Sequence, residues 1–219
     1  MRDLALRLIS MRCLDGVELV HSDADVGLIR GLYGTNGPDW FCYRSDRCKE
    51  EMIRQAVDLE DALVVRFINA NDDDKRIAFL SRFGLPDVLL GIRGIGASFT
   101  EPRNFILGRQ RILRGLLERA CSGENAEAIK AANEALARVQ GEQFSLDGGR
   151  MVLTIRYLMS FMRVEIAIAA ANSARLASCK RCRDLFLTGP LTKRRSTSKY
   201  CSDRCRVGEH RSNKLARGG

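Results

Sequence analysis

The chain has 219 residues, of which 45% are hydrophobic and 29% charged, enough apolar material for a medium-sized domain with a small appendage. No apolar run reaches the ~20 residues that a membrane-spanning helix needs, and charges interrupt the apolar pattern of residues 1–14, so we expect neither a membrane anchor nor a secretion signal. The net charge of +9 is concentrated at one end: residues 175–219 hold 13 Lys or Arg and 3 acids, whereas the other 174 residues sum to −1. This division favours a polyanionic partner for the basic end.

The first half of the chain gives the weaker structural signals. A short strand is predicted at residues 16–20, and glycines indicate a turn at 31–38. The run Asn-Asp-Asp-Asp at 71–74 is suited to cap a short helix, and the glycine-rich stretch 91–102 is predicted to be a loop. Apolar residues at spacings of three and four also predict a helix over residues 49–69, namely Met52, Ala56, Leu59, Leu63 and Phe67.

The second half is more regular. Helices are predicted over residues 104–120 and 125–140, a hairpin over 144–155, and a long apolar helix over 156–176 that we expect at the centre of the fold. We therefore predict a mainly α fold, in which a mostly helical N-terminal domain with short β-hairpins spans residues 1–174. A four-cysteine zinc finger with a basic tail follows over residues 175–219.

Four of the eight cysteines form two close pairs separated by 18 residues. In a chain with no predicted export signal, such pairs indicate metal binding rather than disulfides. Zinc favours four tetrahedral ligands, a Cys-x2-Cys turn places two sulfurs at adjacent corners, and a Cys-x3-Cys pair suits the start of a helix. We predict one structural Zn²⁺ in a treble-clef-like arrangement, with the ligands Cys179, Cys182, Cys201 and Cys205.

Other chemistry has little support in the sequence. The chain has two histidines, His21 and His210, which leaves few groups for acid–base or nucleophilic catalysis, so we expect no enzymatic activity. His210 is a candidate spare metal ligand, although contact with solvent or phosphate is the favoured interpretation. The isolated cysteines are interpreted as buried apolar residues, in preference to a second metal site, and comprise Cys13, Cys42, Cys48 and Cys121.

The C-terminal segment resembles the bacterial CGNR-type zinc fingers, which follow a mostly helical domain called ABATE. The name-giving tetrapeptide Cys-Gly-Asn-Arg is Cys205-Arg206-Val207-Gly208 in this chain. The resemblance implies a stress-induced transcription regulator. It covers about 35 residues and rests on Cys179, Cys182, Phe186, the basic run 193–198, Tyr200, Cys201, Ser202, Cys205 and Arg211.

We therefore expect a cytoplasmic DNA-binding transcriptional regulator that docks through its finger, with a body that senses a signal or forms a homodimer. The alternatives are a protein-interaction adaptor and an RNA-binding protein, because a basic finger with few aromatic residues does not separate DNA from RNA. Lys and Arg interleaved with Ser and Thr are suited to phosphate contacts. The predicted contact residues are Lys193, Arg194, Arg195, Lys199, Arg204, Arg206, Arg211 and Lys214.

Overall fold

The computed structural model describes residues 4–21, 39–44, 47–55, 59–86, 100–147 and 150–217. The strands of this part are β1 (Leu4–Cys13), β2 (Val17–Val20), β3 (Trp40–Tyr43), β4 (Cys48–Gln55), β5 (Thr100–Pro102), β6 (Glu142–Asp147), β7 (Arg150–Ile155), β8 (Arg175–Ser178) and β9 (Leu185–Thr188). The helices are α1 (Leu63–Asn69), α2 (Asp73–Phe83), α3 (Arg103–Ala120), α4 (Asn125–Leu136), α5 (Leu158–Ala171) and α6 (Asp203–Arg217). None of these helices is long and apolar enough to cross a lipid bilayer.

Three sheets organise the described residues. The largest has the order β4-β1-β7-β6, in which β1 runs parallel to β7 and the other neighbours are antiparallel. The second sheet has the order β2-β3-β5, and the third is the β8–β9 hairpin. In β1 the buried side chains of Leu6 and Leu8 flank the half-exposed Arg7, the period-two pattern of a strand with one face on the core.

Helix α5 lies at the centre of the core, with ten of its residues buried. Its Glu165 is 2% exposed, and the carboxylate accepts hydrogen bonds from the backbone N–H groups of Leu63 (3.0 Å) and Val64 (2.8 Å) at the start of α1. A buried charge is tolerated because these donors satisfy it. The carboxylate thereby fixes α1, the helix against which the C-terminal segment packs.

The predicted fold class was wrong, because the described residues contain three sheets and are not mainly α. The clearest error is the single helix predicted over residues 49–69: of the described residues in this range, 49–55 lie in strand β4 and 63–69 form the short helix α1. Strand β4 occupies an edge of its sheet and carries the exposed Lys49 and Glu50, so it lacks the period-two alternation that would reveal a strand. The helix predicted to reach residue 176 ends at Ala171, and β8 follows.

Several local predictions were confirmed. The predicted strand at 16–20 corresponds to β2, the hairpin to β6 and β7, and the helix at 104–120 to α3. Asp72 caps α2 by accepting a hydrogen bond from the backbone N–H of Lys75 at 2.8 Å. The predicted turn at 31–38 and most of the predicted loop at 91–102 lie outside the described residues, and the end of that loop is strand β5.

Candidate metal centre and basic cleft

The four paired cysteines converge at one point of the C-terminal segment. Cys179 and Cys182 lie in the turn that joins β8 to β9, Cys201 precedes α6, and Cys205 lies in the first turn of α6. Their sulfur atoms all lie within 4.8 Å of one another. The site can therefore hold a metal ion, and in the described part of the chain no other group of three or more metal-ligating side chains comes together in this way.

The sulfur spacing fits tetrahedral coordination. The Sγ atom of Cys201 lies 3.6 Å from that of Cys182 and 3.6 Å from that of Cys205. A tetrahedral thiolate site with metal–sulfur bonds of about 2.3 Å places neighbouring sulfurs about 3.8 Å apart. A disulfide would need about 2.05 Å, and these cysteines are free thiols.

Local backbone bonds position the ligands. Across the turn, the N–H of Cys179 donates to the carbonyl of Asp184 (2.9 Å), and the N–H of Arg183 donates to the carbonyl of Cys179 (3.0 Å). Arg183 adopts a left-handed φ of 68°, which tightens this turn. At the other pair, the hydroxyl of Ser202 accepts from the N–H of Cys205 at 3.3 Å, as an N-cap does.

The thiols titrate unequally. Burial raises the pKa of Cys179, but hydrogen bonds with the backbone N–H groups of Cys182, Cys201 and Arg181 and with the Cys182 thiol lower it to about 6. Burial raises the pKa of both Cys182 and Cys201. Hydrogen bonds with neighbouring thiols add to this rise at Cys182, whereas at Cys201 they act in both directions. The thiol of Cys179 therefore ionises more readily than the thiols of Cys182 and Cys201. A coordinated cation offsets the rise at Cys182 and Cys201, because it stabilises thiolates directly.

A cleft of about 520 Å³ opens beside the metal centre. Its basic lining comprises Lys193, Arg194, Arg195, Lys199 and Arg206, so the fold brings together five of the eight predicted contact residues. The predicted contacts Arg204 and Arg211 are exposed on α6 and do not line the cleft; the side chain of Lys214 lies outside the described residues.

Two acids moderate the positive charge of the cleft. The Lys193 ammonium lies 2.7 Å from the carboxylate of Glu60, and this hydrogen bond holds the pKa of Glu60 below its usual value. Arg206 pairs with Asp203 at 3.0 Å, one turn earlier on α6. Both pairs are largely exposed, so they contribute little to stability and a stronger anion can displace them.

Arg194 connects two parts of the chain through the hydrogen bonds of its side chain. Its Nη1 atom donates to the carbonyl of Glu60 (2.9 Å), and its Nε atom donates to the carbonyl of Cys201 (3.2 Å). One guanidinium therefore bridges the segment before α1 and a cysteine of the metal centre. A second tie joins the N–H of Leu59 to the carbonyl of Leu191 at 2.7 Å.

Sequence reasoning missed the partners that hold this site in place. Glu60 lies more than 130 positions before Arg194, and no local pattern connects the two. Arg181 lies between the first two cysteines and donates to the carbonyl of Arg204 at 3.1 Å, with its guanidinium in the space that a Cβ at Gly208 would occupy. Its place inside the Cys-x2-Cys turn is the signal that would have identified it.

No family model matches the chain, and no curated protein matches it.

Proposed function

We propose that this protein is a DNA-binding transcriptional regulator that docks on the phosphate backbone through its C-terminal metal module, residues 175–219. The observation that carries the proposal is the basic cleft beside the four-cysteine centre, where five Lys or Arg side chains meet. In a cleft, charges of one sign reinforce each other and raise the local concentration of a polyanion. The metal fixes this cleft by joining the hairpin turn to α6.

The polar lining of the cleft also suits phosphate. Ser198, Ser202 and the first turn of α6 line it together with the cations. Hydroxyl groups and helix N-termini are common phosphate contacts in protein–DNA complexes, and the helix dipole favours an anion at this end. Arg195 and Lys199 are both exposed and are the cleft cations we assign to phosphate. Arg194, which donates to two carbonyls, we assign to positioning.

We propose zinc as the resident ion. Four thiolates in a tetrahedral array are a common structural zinc site, and a site with four protein ligands has no open position for a reacting water. In this proposal the metal stabilises a short segment and the protein is not an enzyme. Membership of the CGNR-type finger family is part of the same proposal and rests on the residues of the finger alone.

Binding to RNA or single strands is the second candidate function. Tyr200 lines the basic cleft and is only partly buried, and an aromatic ring beside cations can stack on an unpaired base. Duplex DNA offers no such base without distortion. Preference for single-stranded RNA over duplex DNA, reduced by Tyr200→Leu but not by Tyr157→Leu, would favour this candidate.

The proposal is tested by selecting nucleic acids on the full chain and then measuring their affinity at several salt concentrations. The full chain is needed because β8 and β9 pack against the core of the body. We expect the selected duplex to bind more tightly than random duplex, RNA or heparin. Equal binding to every polyanion, together with tight binding to a protein partner, would replace the regulator by an adaptor.

A further inference from the structure

In the described part of the chain, strand β6 is an edge of the largest sheet. Among the described residues it pairs with β7 alone, and all six of its residues are exposed. An edge strand presents unpaired backbone donors and acceptors along its open side. Proteins commonly guard such edges with charged side chains, proline or a bulge. Strand β6 has no lysine or proline and a regular register with β7, and its two charged residues, Glu142 and Asp147, stand at its ends.

One face of this edge is apolar. Phe144 is 62% exposed and Leu146 is 79% exposed, and the register places them opposite Leu153 and Met151 of β7. Directly opposed residues in a sheet share a face, so these four side chains form one patch, which we call the β6 patch. Leu153 also lies opposite Leu6 of β1, which is a core residue. The β6 patch is therefore on the same face of the sheet as the core and extends that face to the sheet edge.

We propose that a second copy of this chain covers the β6 patch, with β6 pairing antiparallel to β6 of the partner copy about a two-fold axis at Ser145. The two four-stranded sheets then form one eight-stranded sheet. This interface is independent of the proposed nucleic-acid function.

The sequence of β6 is self-complementary in this register. Phe144 lies opposite the second copy's Leu146, so apolar side chains meet on one face. Gln143 lies opposite the second copy's Asp147 on the other face. The Asp147 carboxylate pairs with Arg7 of its own chain and has further acceptor positions to which the Gln143 amide can donate. A two-fold axis at Phe144 would instead place Glu142 against Leu146, which opposes a charge to an apolar side chain. The two-fold at Ser145 therefore gives the better match.

The charge distribution suits a second copy as the occupant. Outside residues 175–219 the chain sums to −1, so two bodies meet with little net repulsion, and the basic segment contributes nothing to β6. Another apolar stripe, formed by Phe105 and Ile112 on α3, is similarly exposed but lies beside Arg111 and Arg114. Self-pairing there would bring like charges together.

The test is the oligomeric state of the metal-loaded full chain by sedimentation equilibrium without nucleic acid. We expect a reversible dimer at about 100 µM chain, the range of a modest interface. Phe144→Asp should raise the dimer Kd at least about tenfold, because it places a charge in the apolar patch. The matched control Phe105→Asp, on the α3 stripe, should leave the Kd unchanged. Loss of the dimer only in Phe105→Asp would contradict the proposal.

Cross-linking provides a second readout that does not depend on a destabilising substitution. Residues paired across a two-fold have Cα atoms about 4.5–5.5 Å apart, within disulfide range. Ser145→Cys should therefore form a 145–145 disulfide under mild oxidation, identified by mass spectrometry of the linked peptide, while the wild type provides the background. Glu142→Cys, three residues from the axis, should cross-link much less. A wild-type monomer at every concentration, or equal linkage of both variants, overturns the proposal.

Discussion

At the scale of single residues, neighbouring basic side chains in the cleft have different roles. Arg194 donates to two backbone carbonyls that belong to different parts of the chain, whereas Arg195 is exposed and follows it directly. From the amino-acid sequence alone, Arg194 and Arg195 would be expected to have the same role. Their hydrogen bonds separate a residue that holds the module in place from one that is available to a phosphate.

This difference predicts that substitution of Arg194 affects mainly stability, whereas substitution of Arg195 affects mainly nucleic-acid binding. Arg194→Ala removes two charge-assisted hydrogen bonds and should lower the free energy of unfolding by about 1–3 kcal/mol. Arg195→Ala should change it by less than about 0.5 kcal/mol but weaken nucleic-acid binding. Urea unfolding of the two metal-loaded variants measures the first effect. Equal stability of both variants would mean that the Arg194 bridge contributes nothing.

The metal ligands give a second residue-scale prediction. We expect about one zinc ion per purified chain, and we expect Cys201→Ser combined with Cys205→Ser to abolish it, because two ligands cannot hold the ion against chelation. The matched control is Cys48→Ser, a half-buried thiol on β4 outside the cluster. Elemental analysis measures the zinc content per chain. Undiminished zinc in the double variant would show that the ion is bound elsewhere.

At the scale of elements, the β8–β9 hairpin joins the metal centre to the core. Leu187 is 1% exposed and belongs to the same core as α5, while its neighbour Phe186 is 3% exposed. Asn69, at the end of α1, acts like an additional strand residue: its amide donates to the carbonyl of Leu185 at 2.8 Å and accepts from the N–H of Leu185 at 2.9 Å. The proposed division between residues 174 and 175 stays a prediction, but apolar packing crosses it.

Leu187→Ala tests this packing. The substitution leaves a cavity in the shared core and should destabilise the chain by about 2–5 kcal/mol. Leu136→Ala, at a position 46% exposed on α4, should cost much less. Calorimetry that follows unfolding of the whole metal-loaded chain provides the measurement. A Leu187→Ala chain as stable as the Leu136→Ala control would show that the packing of Leu187 contributes little to the stability of the chain.

The elements also show what sequence could predict. The metal centre depends on local spacing, so two cysteine pairs sufficed to find it. The β1–β7 pairing is parallel and joins Leu4 to Met151, and no local pattern reports such a partner. The helix predicted over residues 49–69 was wrong in its first part, because Met52 lies in the edge strand β4, whereas Leu63 and Phe67 of the same apolar pattern lie in helix α1. The hydrogen bond from Arg194 to the carbonyl of Glu60 likewise joins residues far apart in the sequence, so no local pattern could predict it.

At the scale of the whole molecule, the excess positive charge coincides with one structural unit. The segment with a net charge of +10 forms the metal module, and the rest of the chain is near neutral. If the proposed Zn²⁺ is bound, four thiolates and the divalent cation add −2 locally, and about +8 remains on the segment to attract the proposed polyanion. If the chain dimerises through β6, each dimer carries two such modules, and binding of both to one duplex would raise affinity without any new contact.

The most direct test of nucleic-acid docking is the salt dependence of binding to duplex DNA by the metal-loaded full chain. With about four to six phosphate contacts, a plot of log affinity against log salt should have a slope of about −4 to −5. Replacing Arg195 and Lys199 with Ala should flatten it by about 2. The control Lys130→Ala with Arg138→Ala removes the same charge from exposed positions in and just after α4 and should leave the slope unchanged. Equal flattening by both pairs, or a wild-type slope near zero, would contradict docking through the basic cleft.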